Sequence, residues 1–324
     1  MNNKLVIISG PTATGKTGLG IELSQLVNIH SELEPVVMNF DSLCFFKEVS
    51  IGTAKPTKEE RQNIQHELFD VYSIAEDFNA SKYVNLAEKK IKSLLKENKI
   101  IFLVGGSAFY LRALIKGMYE SKEIDLDLKH ETERKYEEEG IQFILDYLCK
   151  NDPKILNLLH NNDHYRLMRA YYHHKITLTL LSDEKSRMDK IDPYDLKNNV
   201  KNNWELHHIY LDIPKKEHYT IIRNRTHKMI NEGLITEVDN LLKQGFTGLE
   251  KPLQSIGYKE TVEFLSGNIS AVETEDELID RIFISTRQFA KSQRTFFKKI
   301  RPKLEYHPLN DREKIKNDFL TFLK

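Results

Sequence analysis

The chain has 324 residues, 40% of them hydrophobic and 30% charged, with 48 Lys plus Arg against 48 Asp plus Glu. That composition belongs to a folded soluble protein of one large or two medium domains, and the charge balance excludes a basic field over the whole molecule, so any surface for a polyanion must be local. Two distant cysteines, Cys44 and Cys149, with no CxxC or metal-ligand spacing, exclude a structural zinc site and point to a reducing compartment.

The first predicted element is the apolar strand 5–9, "LVIIS". Gly10, Pro11, Thr12, Ala13, Thr14, Gly15, Lys16 and Thr17 follow and fit G-x-x-x-x-G-K-[ST] at every defined position. Leu19, Leu23 and Leu26 then repeat at helical spacing. Strand, loop and helix in this order make a phosphate cradle. The glycines let backbone N–H groups point inward, the helix N-terminus adds partial positive charge, Lys16 neutralises terminal phosphate oxygens and the Thr17 hydroxyl takes a Mg2+ position. The loop specifies a diphosphate without saying whose. The opening "MNNKLVIISG" has too short an apolar core for a signal peptide and no run reaches membrane length, so a cytoplasmic protein is expected.

Further strand-like runs lie at 35–40, 100–106 and 207–213, alternating with helical patterns such as 81–98. This alternation predicts an α/β core, a parallel sheet flanked by helices. The second strand delivers Asp41 at its carboxyl end, whereas the third ends in Gly105, Gly106 and Ser107 and offers no acid. In an open parallel sheet Asp41 would lie on the side of the phosphate loop. It would either hold Mg2+ or act as a general base, with the metal role the first choice from the pattern alone.

Residues 120–139 carry nine acidic residues against four Lys or Arg and read as a solvated helical insertion. With a helical pattern over 142–182, they predict an inserted all-helical domain at 118–200 between two core segments, 1–117 and 201–324. Near the end, residues 281–303 hold eight Lys or Arg and no acid. Arg287, Lys291, Arg294, Lys298 and Arg301 fall at i, i+4, i+7, i+11 and i+14, a single helical stripe suited to phosphates. Ile282, Phe289, Phe296 and Ile300 are expected on the opposite, buried face, with Pro302 as the stop. The adjacent pairs His173-His174 and His207-His208 point apart on a helix or strand and suggest no metal site.

Seven segments, in order, resemble the tRNA dimethylallyltransferases: "GPTATGKT" (10–17), "DSLCFFKEVSIGTAKP" (41–56), "VGGSAFYL" (104–111), "HNNDHYRLMRA" (160–170), "GLITEV" (233–238), "SIGYKE" (255–260) and "TRQFAKSQRTFF" (286–297). The resemblance implies a P-loop NTPase-like core whose loop holds dimethylallyl diphosphate rather than ATP. It also implies Mg2+ as cofactor, a monomer, and transfer of the dimethylallyl group to N6 of the adenine beside the anticodon of tRNA. Asp41 then resembles the general base and is no longer read first as a metal ligand. Lys16, Thr17 and Arg225 would stabilise the departing diphosphate. Arg225 takes its place by alignment on Met229 and Gly233, while Arg223, two positions earlier, is a helix-surface residue. Ser107 stands where the family has a Thr hydroxyl; a simple helix cap is the alternative.

For the RNA, the resemblance implies contacts from Asp41, Ser42, Leu43, Cys44 and Ser107, from Tyr165, Arg166, Leu167, Met168 and Arg169, and from Arg287, Lys291, Gln293, Arg294 and Lys298. Arg166 and Arg169 would otherwise pair with nearby acids. The chain departs from the family at Cys44 and Phe46, usually Gln and Tyr, at Ile221, usually Arg, and at Ser292, usually basic. Cys44 reads as a pocket-lining residue and not a nucleophile. Three other readings stand beside this one: an isopentenyltransferase for free AMP, ADP or ATP, a phosphotransferase, and an RNA-binding protein without activity.

Overall fold

The computed structural model describes residues 3–118, 124–190, 192–199, 203–267 and 274–324. Six strands, β1 (Lys4–Ser9), β2 (Glu34–Asn39), β3 (Gln65–Glu67), β4 (Lys99–Gly105), β5 (Glu205–Leu211) and β6 (Leu304–Tyr306), form one sheet in the order β3-β2-β4-β1-β5-β6. Every neighbouring pair is parallel. Strands buried on both faces need near-continuous apolar runs, and β1, β2 and β4 have them. The edges β3 ("QHE") and β6 ("LEY") are three residues each, too short and polar to show in any pattern.

The helices are α1 (Lys16–His30), α2 (Ala80–Lys96), α3 (Ala108–Lys116), α4 (Leu126–Glu139), α5 (Gln142–Asn151), α6 (Pro153–Leu156), α7 (His164–Thr177), α8 (Leu181–Met188), α9 (Leu196–Asn199), α10 (Lys215–Asn231), α11 (Leu234–Lys243), α12 (Tyr258–Ser266), α13 (Glu275–Phe297) and α14 (Arg312–Leu323). Local side chains start some of them: the Asn79 side chain caps α2 by accepting from the N–H groups of Ser81 and Lys82 at 3.0 Å each. Leu19, Leu23 and Val27 of α1 pack on Val6, Ile8, Val37 and Phe102 of the sheet, with Ile315 and Phe319 of α14 in the same cluster.

The chain divides into two compact units, one of Met1–Lys116 with Tyr194–Lys324, the other of Gly117–Pro193. Residues 194–199, expected in the inserted domain, belong with the sheet. Arg301 N donates to the Tyr194 carbonyl at 3.0 Å and Leu196 N to the Arg301 carbonyl at 2.8 Å. The smaller unit, among the described residues, contains helices α4 to α8 around Ile144, Leu148, Ile155, Leu167 and Ala170. Of the acidic stretch, residues 120–123 lie outside the described residues; the rest begins at Ile124, and Asp125 caps α4. No helix among the described residues is long and apolar enough to cross a membrane.

Strand order places the site. β1 lies between β4 and β5, reached from opposite directions along the chain, so a crevice opens at the carboxyl ends of the central strands. Those ends present Gly10 from β1, Asp41 from β2, Gly106 from β4 and Asp212 from β5.

Candidate active site

The loop after β1 has the shape its glycines permit. At Gly10, φ is 151° and a Cβ would lie 2.3 Å from the Leu211 carbonyl oxygen, so no residue with a side chain fits. Within the loop, Thr14 Oγ1 and Lys16 Nζ both donate to the Pro11 carbonyl, at 2.9 and 2.7 Å. Gly15, at φ 78°, precedes α1, which has no side-chain cap. The backbone N–H groups of Ala13 to Thr17 find no acceptor among the described residues. Five free donors at a helix N-terminus are a seat for an anion. Burial, opposed by the Asp41 charge and reinforced by that of Arg225, brings the Lys16 ammonium down to about 8.

Asp41 reaches the same place from β2. Its own N–H donates to Asn39 Oδ1 at 2.7 Å, while Asn39 Nδ2 donates to the Asp41 carbonyl at 3.0 Å and the Leu68 carbonyl at 3.1 Å. Gly105 is required beside it, since a Cβ there would meet the Asp41 nitrogen at 2.8 Å. Asp41 Oδ1 lies 3.4 Å from Leu43 N, and Oδ2 takes no hydrogen bond from the described residues. Ser107 does not cap α3. Its Oγ accepts from Ser42 N at 3.2 Å, joining the ends of β4 and β2, and its O–H remains available to a ligand.

The two arginines of α10 separate as helical geometry requires. Arg223 pairs with Asp280 at 2.7 Å and lies over the Phe283 ring. Arg225 makes no hydrogen bond or ion pair with the described residues, and its charge acts on Lys16 by repulsion and on Asp41 by attraction. Cys44 is buried. Burial first and the Asp41 charge second push its thiol above the ordinary range, so it stays protonated and serves as a wall.

Residues after Asp41 are braced by motifs far along the chain. Glu237 accepts from Ser50 N and Ile51 N at 3.1 and 3.0 Å, and from Tyr258 Oη at 2.6 Å. The Tyr258 hydroxyl in turn accepts from Gly52 N at 3.1 Å, and a Cβ on Gly52 would meet its ring at 2.5 Å. Lys55 pairs with Asp70 at 2.7 Å and donates to the Phe46 carbonyl. "IGTAKP", "GLITEV" and "IGYKE" are therefore one bracket. Glu237 and Tyr258 lie in segments that carried the family resemblance but had no role there, because a lone Glu or Tyr on a helix does not show its distant partner, and Asp70 carried no signal in sequence.

The basic stripe is corrected. α13 ends at Phe297, so Ile300 and Arg301 lie beyond the helix, Lys298 is its C-cap, and Phe289, expected on the buried face, is 41% exposed. Arg294 faces inward, with Nε donating to Asp212 Oδ1 at 2.7 Å and Nη2 to the Ile213 carbonyl at 3.0 Å. Gln293, expected at the RNA, is 5% exposed; it accepts from Thr12 N at 2.8 Å and donates to the Gly106 carbonyl at 3.0 Å. A Cβ on Gly106 would collide with that amide at 2.5 Å. Arg287 lies over the rings of Tyr219 and Phe283 at 4.7 and 5.3 Å, half-buried. Lys291 and Lys298 remain exposed.

In the helical unit, Tyr165 is 74% exposed and Arg166 pairs with Asp163, its own helix cap. Arg169 and Met168 are half-buried. Leu167 is fully buried in that unit's core, so its side chain cannot meet RNA.

A family model described as IPP transferase matches residues 44–300. The chain is 33% identical to a tRNA dimethylallyltransferase 2 of Geotalea uraniireducens over 296 residues, 91% of this chain and 89% of that protein. It is 34% identical to a tRNA dimethylallyltransferase of Petrotoga mobilis over 300 residues, 92% and 91% of the two chains. The crystal structure of the full-length tRNA isopentenylpyrophosphate transferase of Bacillus halodurans superposes with a TM-score of 0.69 at 30% identity, covering 99% of this chain and 96% of that one. A eukaryotic dimethylallyltransferase acting on tRNA shares the fold, with a TM-score of 0.80 at 24% identity, covering 99% and 80%.

Proposed function

The chain belongs to the IPP transferase family, and on that premise we propose that it transfers the dimethylallyl group of dimethylallyl diphosphate to N6 of the adenine beside the anticodon, position 37, of a tRNA. The observation that carries this reading is the company of the five free loop amides. Lys16, Arg225 and the unengaged Oδ2 of Asp41 share one field at the carboxyl ends of the strands.

In this reading the diphosphate rests on the N–H groups of Ala13 to Thr17, with Lys16 and Arg225 on its oxygens. N6 of adenine attacks C1 of the dimethylallyl group; the C–O bond breaks and its electron pair leaves with the diphosphate. Asp41 Oδ2 takes the proton from N6 as the C–N bond forms. Donors fixed before reaction bind the growing charge on the leaving oxygens more strongly in the transition state than in the ground state. Ser107 Oγ–H is placed for the diphosphate or the nucleotide.

Among the described residues no cluster of three or more His, Cys, Asp or Glu side chains would hold a cation alone. The Thr17 hydroxyl, half-buried and without a partner among the described residues, fits Mg2+ carried chiefly by substrate phosphates. When bound, Mg2+ supplies positive charge to the leaving group. Lys291, Lys298 and Arg287 on or beside α13, together with Tyr165, Arg166 and Arg169 of the helical unit, are the proposed tRNA contacts. We read the protein as a cytoplasmic monomer, in keeping with its free cysteines.

The test offers labelled dimethylallyl diphosphate and Mg2+ with unmodified tRNA or with AMP, and Asp41→Ala as control. Label in tRNA, lost in the variant, is the expected result. Label in AMP alone would overturn the tRNA reading, and phosphoryl transfer from ATP would overturn the prenyl one.

A further inference from the structure

Thr12, in the middle of the diphosphate loop, is gripped on both sides of its backbone. Its N–H donates to Gln293 Oε1 at 2.8 Å and its carbonyl accepts from His218 Nε2 at 2.8 Å. That second bond fixes the tautomer of His218, because a carbonyl can only accept. Nε2 carries the proton and Nδ1 is a bare acceptor. Arg294 Nη2 lies 2.6 Å from Nδ1 and supplies the donor, while its Nε holds Asp212 Oδ1 at 2.7 Å. All the donors run one way, from guanidinium to imidazole to loop, and Asp212 anchors the guanidinium from behind.

We propose that His218, acting as a neutral imidazole between Arg294 and the Thr12 carbonyl, is a positioning residue that sets the diphosphate-binding form of the loop. The proposal rests on the loop being a diphosphate site. Four observations support it. His218 is completely buried, so no water can replace it. The Thr12–Ala13 peptide is planar, so holding the carbonyl toward His218 turns the Ala13 N–H to the opposite side, where it is one of the five free donors. Ala13 sits at φ 61°, a left-handed conformation that a residue with a Cβ adopts only when its surroundings impose it. The Ala13 methyl packs with Ile222, Phe283 and Ala290, in the same α10–α13 seam from which His218 and Arg294 reach the loop.

The chemistry of His218 makes the grip sensitive to acid. A second proton on Nδ1 would set an N–H against the Arg294 guanidinium. The groups facing the ring are Arg294 from α13, Asp212 from the end of β5 and Lys16 from α1; on its own helix Glu217 turns away to His307 at 3.3 Å. Burial is the largest influence and favours the neutral ring. The Thr12 bond and Asp212 oppose it, and the Arg294 and Lys16 charges reinforce it. The neutral relay is therefore intact at neutral pH and is lost only below the ordinary histidine range.

The experiment measures Kd of inorganic diphosphate with Mg2+ by calorimetry at pH 7.5, for wild type, His218→Leu and His218→Gln. Leu fills the space without donor or acceptor; Gln offers both at similar spacing and does not titrate. His218→Leu should weaken binding roughly fivefold or more at pH 7.5, the worth of one buried hydrogen bond set. In the transfer assay kcat/KM for dimethylallyl diphosphate should fall at least as far in His218→Leu and recover in His218→Gln, because the same loop donors meet the charge that grows in the transition state. His218→Gln should restore the pH 7.5 affinity. Equal Kd values for wild type and His218→Leu, or a loss in His218→Leu that His218→Gln does not restore, would overturn the proposal alone. Absence of binding to the wild type would overturn the diphosphate reading of the loop and the proposal with it. If His218→Leu does not fold, His218→Asn, whose shorter side chain cannot span from Arg294 to the Thr12 carbonyl, takes its place in the same comparison.

Discussion

Asp41 is held by groups other than the one it would act on. Asn39 fixes its backbone from both sides, and one carboxylate oxygen is left unengaged. Asp41→Ala should therefore reduce kcat about 10²- to 10⁴-fold, the usual worth of a general base, and leave tRNA affinity within about twofold. Filter binding beside a turnover assay separates the two, and an unchanged kcat would remove the base. Lys16 is the complementary case. Its ammonium titrates at about 8 in the free protein, against 10.5 in water, because burial disfavours the charge. A bound diphosphate favours the charge and raises that value again. At pH 8 binding should take up roughly half a proton, falling toward zero at pH 6 where Lys16 is already charged. Heats measured in two buffers of different ionisation enthalpy report this uptake; none at pH 8 would place Lys16 away from the ligand.

At the scale of elements, α13 does two things with one charged face. Arg294 and Gln293 turn toward the phosphate loop, whereas Lys291 and Lys298 face solvent. Lys291→Ala with Lys298→Ala should lower the salt dependence of tRNA binding by about two phosphate contacts and leave diphosphate affinity unchanged. Arg294→Ala should do the reverse, since it takes the anchor from His218. A common slope for all these variants would mean that α13 does not meet the RNA. The bracket around residues 50–55 is the second elemental device. Glu237→Ala strands two backbone N–H groups and the Tyr258 hydroxyl, and should cost about 1–3 kcal/mol in a urea titration. Tyr258→Phe keeps the ring against Gly52 and should cost less.

For the whole molecule, acid is the weak direction. Burial holds His207, His208 and His218 below the ordinary histidine value, His208 at about 3. Between the folded value and about 6.5 the unfolded chain binds more protons than the folded one, so stability is full above 6.5 and falls as pH drops. Each such histidine contributes a slope of up to about 1.4 kcal/mol per pH unit. The urea midpoint should fall measurably from pH 7 to pH 5, and a flat profile would mean that these rings are hydrated. All three histidines are invisible as a group in sequence: His207 and His208 stand on β5, His218 on α10, and their burial depends on what packs over them.

The part of this protein that the sequence determined by itself is the part made by neighbours in the chain. Eight consecutive residues suffice to shape the phosphate loop, because glycine at 10 and 15 and the start of α1 are local requirements. Near-continuous apolar runs suffice to show β1, β2 and β4, because a strand covered on both faces leaves few polar positions. The separation of Arg223 from Arg225 followed from the helical period alone. Tertiary structure decided everything that depends on what a side chain meets across the fold. The partners of Thr12 are 206 and 281 residues away, and those of Glu237 in the 50–55 loop are 186 and 187 away. Contacts at such distances leave no periodicity, and a stripe of equal charges does not say which of them find an acid inside. Hence Arg294, Gln293 and Leu167 read as surface residues in sequence and are internal in the fold, while His218 gave no signal until Arg294 and the loop stood on either side of it.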